Sequence, residues 1–223
     1  MGALTEVLAA TAAFVGTHLL MSHPLRAPLV SRLGERGFLG VYTLVSFATL
    51  GWLIWAMLHV GPEPFLWAAP LWVWWLAGAV MLVASILLVG SLIGNPALPG
   101  MPALKRTPRG VFAITRHPMM WSFALWACAH ALVWPQPSVL VLTAGIALLA
   151  LAGAAGQDAK KSRLQPDFWP AWRAQTAFVP FTGPASSRDW WPGWGVMLGG
   201  LALWLVATWL HPVFGGPAVG VWG

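Results

Sequence analysis

Apolar residues form six long runs along the chain, separated by short stretches rich in glycine, proline and charged residues. Each run is close to the length of about 20 residues that an α-helix needs to cross a bilayer. The pattern predicts six membrane-spanning helices, at residues 3–21, 38–59, 70–93, 112–134, 138–156 and 194–210. Because the linker 135–137 is very short, the fourth and fifth helices are predicted to be antiparallel neighbours.

The lysines and arginines are confined to alternate linkers. They are Arg26, Arg32 and Arg36 before the second run, then Lys105, Arg106, Arg109 and Arg116 around the start of the fourth, then Lys160, Lys161, Arg163, Arg173 and Arg188 before the sixth. Basic residues favour the cytoplasmic side of a membrane. The linkers at about 22–37, 94–111 and 157–193 are therefore predicted to face the cytoplasm, with both termini on the outer, periplasmic side of a bacterial inner membrane.

Composition agrees with a membrane protein rather than a soluble one. Hydrophobic residues make up 58% of the chain and charged residues only 8%, with a mean hydropathy of +0.72, whereas a soluble domain has roughly a quarter of its residues charged. We therefore expect a single all-α transmembrane domain over residues 1–223. The net charge of +6 is explained by topology and by attraction to anionic membrane lipid, so no nucleic-acid partner is predicted.

Few residues in the apolar runs can carry chemistry. The single cysteine, Cys128, excludes an intramolecular disulfide and any metal site built from several cysteines of one chain. Ionisable groups within hydrocarbon are costly and usually face a protein interior. His18 in the first run and His130 in the fourth both have alanine or glycine neighbours, and small residues let a flat macrocycle approach. Imidazole is the usual axial ligand of haem iron; the alternative is that both histidines only pack.

The triplet Arg116-His117-Pro118 marks the start of the fourth helix. Proline is favoured in the first turn of a helix, so Pro118 is predicted to begin the membrane helix and His117 to lie at its mouth. Arg116 is placed to hold a carboxylate, a phosphate or a haem propionate through two parallel hydrogen bonds. The alternative is an arginine that extends its side chain to the lipid interface.

Four longer motifs suggest a family. The stretches "THLLMSHPLR", "GERGF", "GVFAITRHPMMWSFALWACAHAL" and "FWPAWRAQTAFVPF" resemble the NnrU family of bacterial membrane proteins over nearly the whole chain. The same order of motifs resembles the 15-cis-zeta-carotene isomerases, which are haem b enzymes. This resemblance implies a haem b cofactor with His18 and His130 as iron ligands, and Arg116 and His117 are expected to support that site from the inner face. It also implies a role in nitrogen-oxide metabolism or in polyene isomerisation, with nitric oxide or a hydrophobic small molecule as partner.

One position departs from the isomerase pattern. Those enzymes carry a cysteine three residues before the second ligand histidine, where this chain has Ala127 and the cysteine is shifted to Cys128. Adjacent residues are about 100° apart around a helix. An exchange of histidine for cysteine at the iron is therefore not expected here.

A wider resemblance covers only "RHP" and the last cytoplasmic loop, and it extends to isoprenylcysteine carboxyl methyltransferases and phospholipid methyltransferases. It implies S-adenosylmethionine bound by Arg116, His117 and Asp158. In those enzymes a tyrosine commonly follows the triplet and an acidic pair comes later. Here Met119 and Met120 follow the triplet, and Asp158 is the one acidic residue near the later position.

The depths of the two predicted iron ligands differ. At 1.5 Å per residue, His18 lies about 7–8 Å and His130 about 18 Å from the inner boundary, whereas two axial nitrogens lie about 4 Å apart. Two other ligand arrangements therefore stay open. Iron is bound by a single axial histidine, or the histidines pair as His130 with His59 and His18 with His117. A further alternative is a non-catalytic assembly or sensory protein whose histidines have only packing roles.

Overall fold

The computed structural model describes residues 2–98 and 107–222, and every regular element in these ranges is helical. The all-α prediction is therefore confirmed. The long helices are α1 (Ala3–Ser22), α2 (Arg26–Leu58), α3 (Leu71–Ser91), α5 (Pro118–Val133), α6 (Pro137–Leu164) and α8 (Trp194–Leu210). The short ones are α4 (Val111–Ile114), α7 (Trp169–Gln175) and the 3-10 turns Ser187–Trp190, His211–Phe214 and Gly220–Trp222.

Five helices in the described ranges are long and apolar enough to cross a membrane: α1, α2, α3, α6, and α8 together with its following turn. The fourth predicted span is shorter than expected, because α5 has 16 residues and rises only about 24 Å. A bilayer has a hydrocarbon core of about 30 Å. The helices are those of a multi-pass membrane protein, with five candidate spans where six were predicted.

The long helices contact one another in a row. Helix α1 lies between α2 and α6, α5 lies between α6 and α3, and α3 also packs against α8. The order across the molecule is therefore α2, α1, α6, α5, α3, α8, and α5 and α6 are neighbours as predicted. Because α6 lies between α1 and α5, the two histidines predicted to share an iron are on helices separated by a third.

Two predicted cytoplasmic linkers are partly helical. Helix α2 begins at Arg26, and it bends at Gly34, where φ is 69° and ψ is 168°. Helix α6 continues past the apolar run to Leu164, because alanine, lysine and glutamine are good helix formers and a helix does not need an apolar sequence to continue. Of the middle linker, Lys105 and Arg106 lie outside the described residues.

The fourth predicted helix is broken in two. Helix α4 ends at Ile114, Thr115 is extended with φ −155° and ψ 148°, and α5 begins at Pro118. The proline ring disfavours helical geometry in the residue before it, and His117 has φ −121° and ψ 52°. Pro118 thus begins the helix as predicted, but the residues before it are extended rather than helical.

Glycines bring helix backbones close together. A Cβ atom on Gly200 of α8 would lie 2.7 Å from Cα of Ile86 in α3. Gly145 of α6 lies just as tightly against Thr11 of α1. Small residues at helix contacts are the usual way in which membrane helices gain packing contacts. These two glycines therefore fix how closely α8 approaches α3 and α6 approaches α1.

The substitution Gly200→Ala should destabilise the protein by about 1–3 kcal/mol, because the added methyl group meets backbone atoms that cannot rotate away. Gly195→Ala in the same helix is the control, since a Cβ there has no atom within 4 Å. Thermal unfolding in detergent, followed by tryptophan fluorescence, measures both. Equal shifts in the two variants would contradict the close contact of α3 and α8.

Candidate functional site

A buried ion pair joins the start of α5 to the end of α6. The side chains of Arg116 and Asp158 are 8% and 9% exposed. Arg116 donates from Nη2 to Oδ2 of Asp158 at 2.6 Å and from Nε to both carboxylate oxygens at 2.9 and 3.0 Å. This is the two-pronged arrangement that makes arginine–carboxylate pairs strong and directional.

Two further donors reach the same carboxylate. His117 Nε2 lies 3.0 Å from Oδ1 of Asp158, and Trp169 Nε1 donates to that oxygen at 3.2 Å. Because a carboxylate only accepts hydrogen bonds, Nε2 of His117 carries the proton. Its other nitrogen, Nδ1, is buried without a hydrogen-bond partner among the described residues. We refer to Arg116, His117, Asp158 and Trp169 as the Asp158 cluster.

The loop between α6 and α8 closes over this cluster through its backbone. Thr115 Oγ1 donates to the carbonyl of Phe178 at 2.8 Å, and the Arg116 amide donates to the carbonyl of Ala177 at 2.8 Å. Arg116 Nη1 also donates to the carbonyl of Thr176 at 3.2 Å. The break in the helix before Pro118 leaves backbone N–H and C=O groups without helical hydrogen-bond partners. Buried backbone groups require such partners, and the loop provides them.

The Asp158 cluster has little capacity left for a ligand. The grip that was predicted for Arg116 is filled by the protein's own Asp158, and both oxygens of Asp158 accept hydrogen bonds from the chain. Beside it, an open cavity of about 330 Å³ is lined by Arg116, Ser162, Pro170, Arg173 and Ala174. The cluster's clear physical role is to join α5, α6 and the loop that contains α7.

His23 lies close to this end of the molecule, between α1 and α2. Its ring contacts Gly156 of α6, where a Cβ atom would not fit. Burial lowers the pKa of His23, and the charges of Lys160 and Arg163 lower it further. The imidazole is therefore neutral at pH 7, which suits a ring packed against a helix.

A second polar centre pairs two imidazoles. The rings of His130 in α5 and His211 after α8 have centroids 6.0 Å apart, with an angle of 47° between their planes. His130 Nδ1 donates to the Trp126 carbonyl at 2.9 Å, and His211 Nδ1 donates to the Pro217 carbonyl at 2.9 Å. A carbonyl only accepts, so both Nδ1 atoms carry protons, and Nε2 is the ring nitrogen that carries the lone pair whenever the ring is neutral.

The turn after α8 holds His211 in place. The amide of Gly216 donates to the His211 carbonyl at 3.1 Å, and Gly215 has a φ of 84° that favours glycine. The Cε1–Nδ1 edge of the His211 ring lies against Gly216, where there is no room for a Cβ atom. The segment "HPVFGGP" therefore forms a turn that packs against the imidazole ring of His211.

His18 has different neighbours. Its Nδ1 donates to the Phe14 carbonyl at 2.7 Å, and its ring lies 4.3 Å from that of Phe14 and 5.5 Å from that of Tyr42 in α2. In the part of the chain that the structure describes, the imidazole beside His130 is that of His211. The structure thus joins Arg116 to His117 through Asp158, and it places His18 and His130 among separate sets of aromatic rings.

His59 at the end of α2 has the same local geometry as His130. Its ring stacks on Trp55 at 4.3 Å, as His130 stacks on Trp126 at 4.2 Å, and both pairs have an angle of 29°. His59 Nδ1 likewise donates to the carbonyl four residues earlier, at 2.7 Å. The local arrangement is therefore shared by His59 and His130, which differ in exposure and in the His211 ring beside His130.

Cys128 lies away from this centre. Ala127 is buried at 2% exposure, whereas Cys128 is exposed. This agrees with the rotation expected between adjacent helix positions. Within residues 2–98 and 107–222, no group of three or more histidine, cysteine, aspartate or glutamate side chains is placed to hold a metal ion.

Two features of these centres were not predicted from the sequence. Trp169 was not identified as a donor to Asp158, since an indole in an aromatic-rich loop has no distinctive pattern. The pairing of His130 with His211 joins residues 81 positions apart, and no periodicity connects them. The proline and paired glycines after His211 were the available signal, because they indicate a tight turn.

Comparison with known proteins identifies a family. A family profile described as "NnrU protein" matches residues 6–219, which is nearly the whole chain. No curated protein matches the chain, and no solved structure does. The match agrees with the resemblance expected from the four motifs.

The substitution Asp158→Asn should destabilise the protein by about 3–5 kcal/mol, because it leaves the Arg116 cation buried without its counter-charge. The exposed ion pair of Arg26 with Glu35 provides the control, and Glu35→Gln should cost no more than about 1 kcal/mol. Thermal unfolding in detergent compares the two variants. A loss for Asp158→Asn as small as that for Glu35→Gln would show that the cluster does not join the three segments.

Proposed function

The chain belongs to the NnrU family, and on that premise we propose that it is a membrane protein that binds haem b among its helices. His130 would be one of the residues that hold the haem iron. The family resemblance points to His18 as the other. The observation that supports the proposal most is the pair of imidazoles, His130 and His211, next to each other at the end of apolar helices.

The protonation of the histidines suits a metal. Histidine ligands almost always donate their other ring N–H to a carbonyl or a carboxylate, which fixes the tautomer and orients the ring. His18, His130 and His211 each donate Nδ1–H to a backbone carbonyl, at 2.7, 2.9 and 2.9 Å. The set of donors available in the membrane part of the chain therefore fits haem iron.

The chain's own residues would hold the haem and exclude water from it. Haem supplies an iron atom that can bind a small molecule such as nitric oxide or interact with a polyene. The apolar helices provide a site that a hydrophobic substrate can reach from the lipid. We therefore propose nitrogen-oxide metabolism or isomerisation of a polyene as the process that the protein serves.

The methyltransferase alternative has less support. It requires Arg116, His117 and Asp158 to hold S-adenosylmethionine, but these side chains bind one another. Arg116 also donates to the backbone of the loop. A ligand would have to break this buried ion pair, which is costly.

We also propose that the protein crosses a bacterial inner membrane six times, with both termini outside. In this proposal α5 crosses the membrane in addition to the five candidate spans. It is packed between α6 and α3. The extended residues before Pro118 then lie at the cytoplasmic surface, where the loop with α7 satisfies their backbone groups.

Alkaline phosphatase fusions in a bacterial host test this topology. Fusions within residues 61–69 and after Trp222 should be active, because this reporter folds only in the periplasm. Fusions within residues 176–186 should be inactive. An inactive fusion after Trp222 together with an active one within residues 61–69 would show that α8 has been placed in the wrong direction.

The substitution His130→Ala should reduce haem binding strongly, because it removes the proposed axial ligand. The protein is expressed with added haem precursor and purified in detergent, and the Soret band and pyridine haemochrome spectrum report haem b per chain. His59→Ala is the matched control, since His59 has the same stacking and hydrogen bond as His130. A colourless wild-type protein would end the haem proposal and favour an assembly or sensory role.

A further inference from the structure

We infer that His211, rather than His18, occupies the axial position opposite His130. This inference rests on the proposed haem binding and names the second residue of that site. It departs from the family resemblance, which points to His18. It is carried by the distance between the two rings, by their protonation and by the turn that holds His211.

The spacing of the two rings fits one shared iron. A metal binds an imidazole nitrogen at about 2 Å, and the ring centre lies roughly 1 Å beyond that nitrogen. Two imidazoles on opposite sides of one metal therefore have ring centres about 6 Å apart. The centroids of His130 and His211 are 6.0 Å apart.

The ring atoms left free are the ones that a metal needs. Both Nδ1 atoms donate to backbone carbonyls, so each ring offers Nε2. On His211 the Cε1–Nδ1 edge lies against Gly216, and Nε2 is the next ring atom, bonded to Cε1 and Cδ2. A proton on Nδ1 leaves Nε2 as the nitrogen that binds iron.

The end of the chain is built to hold His211 still. The 3-10 turn His211–Phe214 is followed by Gly215 and Gly216, and their amides donate to the carbonyls of Pro212 and His211, both at 3.1 Å. Beyond this turn, Trp222 Nε1 donates to Thr208 Oγ1 of α8 at 3.2 Å. A ligand held by its own local turn loses little conformational freedom on binding.

The other membrane histidines lack this arrangement. His59 has the same stacked geometry as His130, but it is exposed. The rings beside His18 are those of Phe14 and Tyr42 rather than another imidazole. Iron bound by His130 and His211 would also join the end of α8 to α5, whereas α8 otherwise packs against α3.

Spectroscopy of the haem-loaded protein tests the inference. Wild-type protein should show the absorption and electron paramagnetic resonance spectra of six-coordinate, low-spin iron. His211→Ala should keep haem through His130 but convert it to the high-spin, five-coordinate form. Added imidazole should restore the low-spin spectrum of His211→Ala, because it can fill the vacated position; a variant that merely misfolds would not recover. His18→Ala and the control His59→Ala should remain low-spin.

A milder variant tests the position of the ring without removing it. Gly216→Ala places a methyl group where the His211 ring lies, so it should convert part of the haem to the high-spin form. The inference is overturned if His18→Ala becomes high-spin while His211→Ala stays low-spin, or if wild-type haem is already high-spin. Either result leaves haem binding intact, whereas wild-type protein without any haem would refute the proposed function itself.

Discussion

The buried ion pair of Arg116 with Asp158 is the interaction on which one end of this molecule depends. Three separate segments meet there: the start of α5, the charged end of α6 and the loop that carries α7. Each charge is nearly inaccessible to water, so neither could remain buried without the other. The pair also fixes His117, whose Nε2 proton is held by the same carboxylate. The triplet Arg116-His117-Pro118 thus joins three segments of the chain through Asp158.

The opposite end of α5 shows the reverse situation. His130 and His211 satisfy only one nitrogen each within the protein, and the other nitrogen of each ring is available. The same helix thus begins at a cluster whose charges are satisfied internally and ends near a pair of rings that each use one nitrogen in a hydrogen bond. The proposed haem site is therefore at His130 rather than at Arg116.

Much of the architecture follows from local rules. The six apolar runs, the helical class and the first residue of α5 at Pro118 could all be predicted, because length, hydropathy and proline geometry act within one segment. Errors arose where these rules compete. Hydropathy placed the end of α6 near residue 156, but helix propensity carries the helix to Leu164. A continuous apolar run indicated one helix over 112–134, yet the proline forces an extended stretch before it.

By itself the sequence determined the class of the protein, its family and the small set of ionisable residues within its membrane helices. Only the tertiary structure decided which of these residues meet. Asp158 reaches Arg116 across 42 positions, and His211 reaches His130 across 81, because α6 and α8 return to the ends of α5. The order in which helices pack is set by close contacts such as that of Gly200 with Ile86. Such contacts depend on the shapes of two surfaces at once, and neither surface is visible in a single segment.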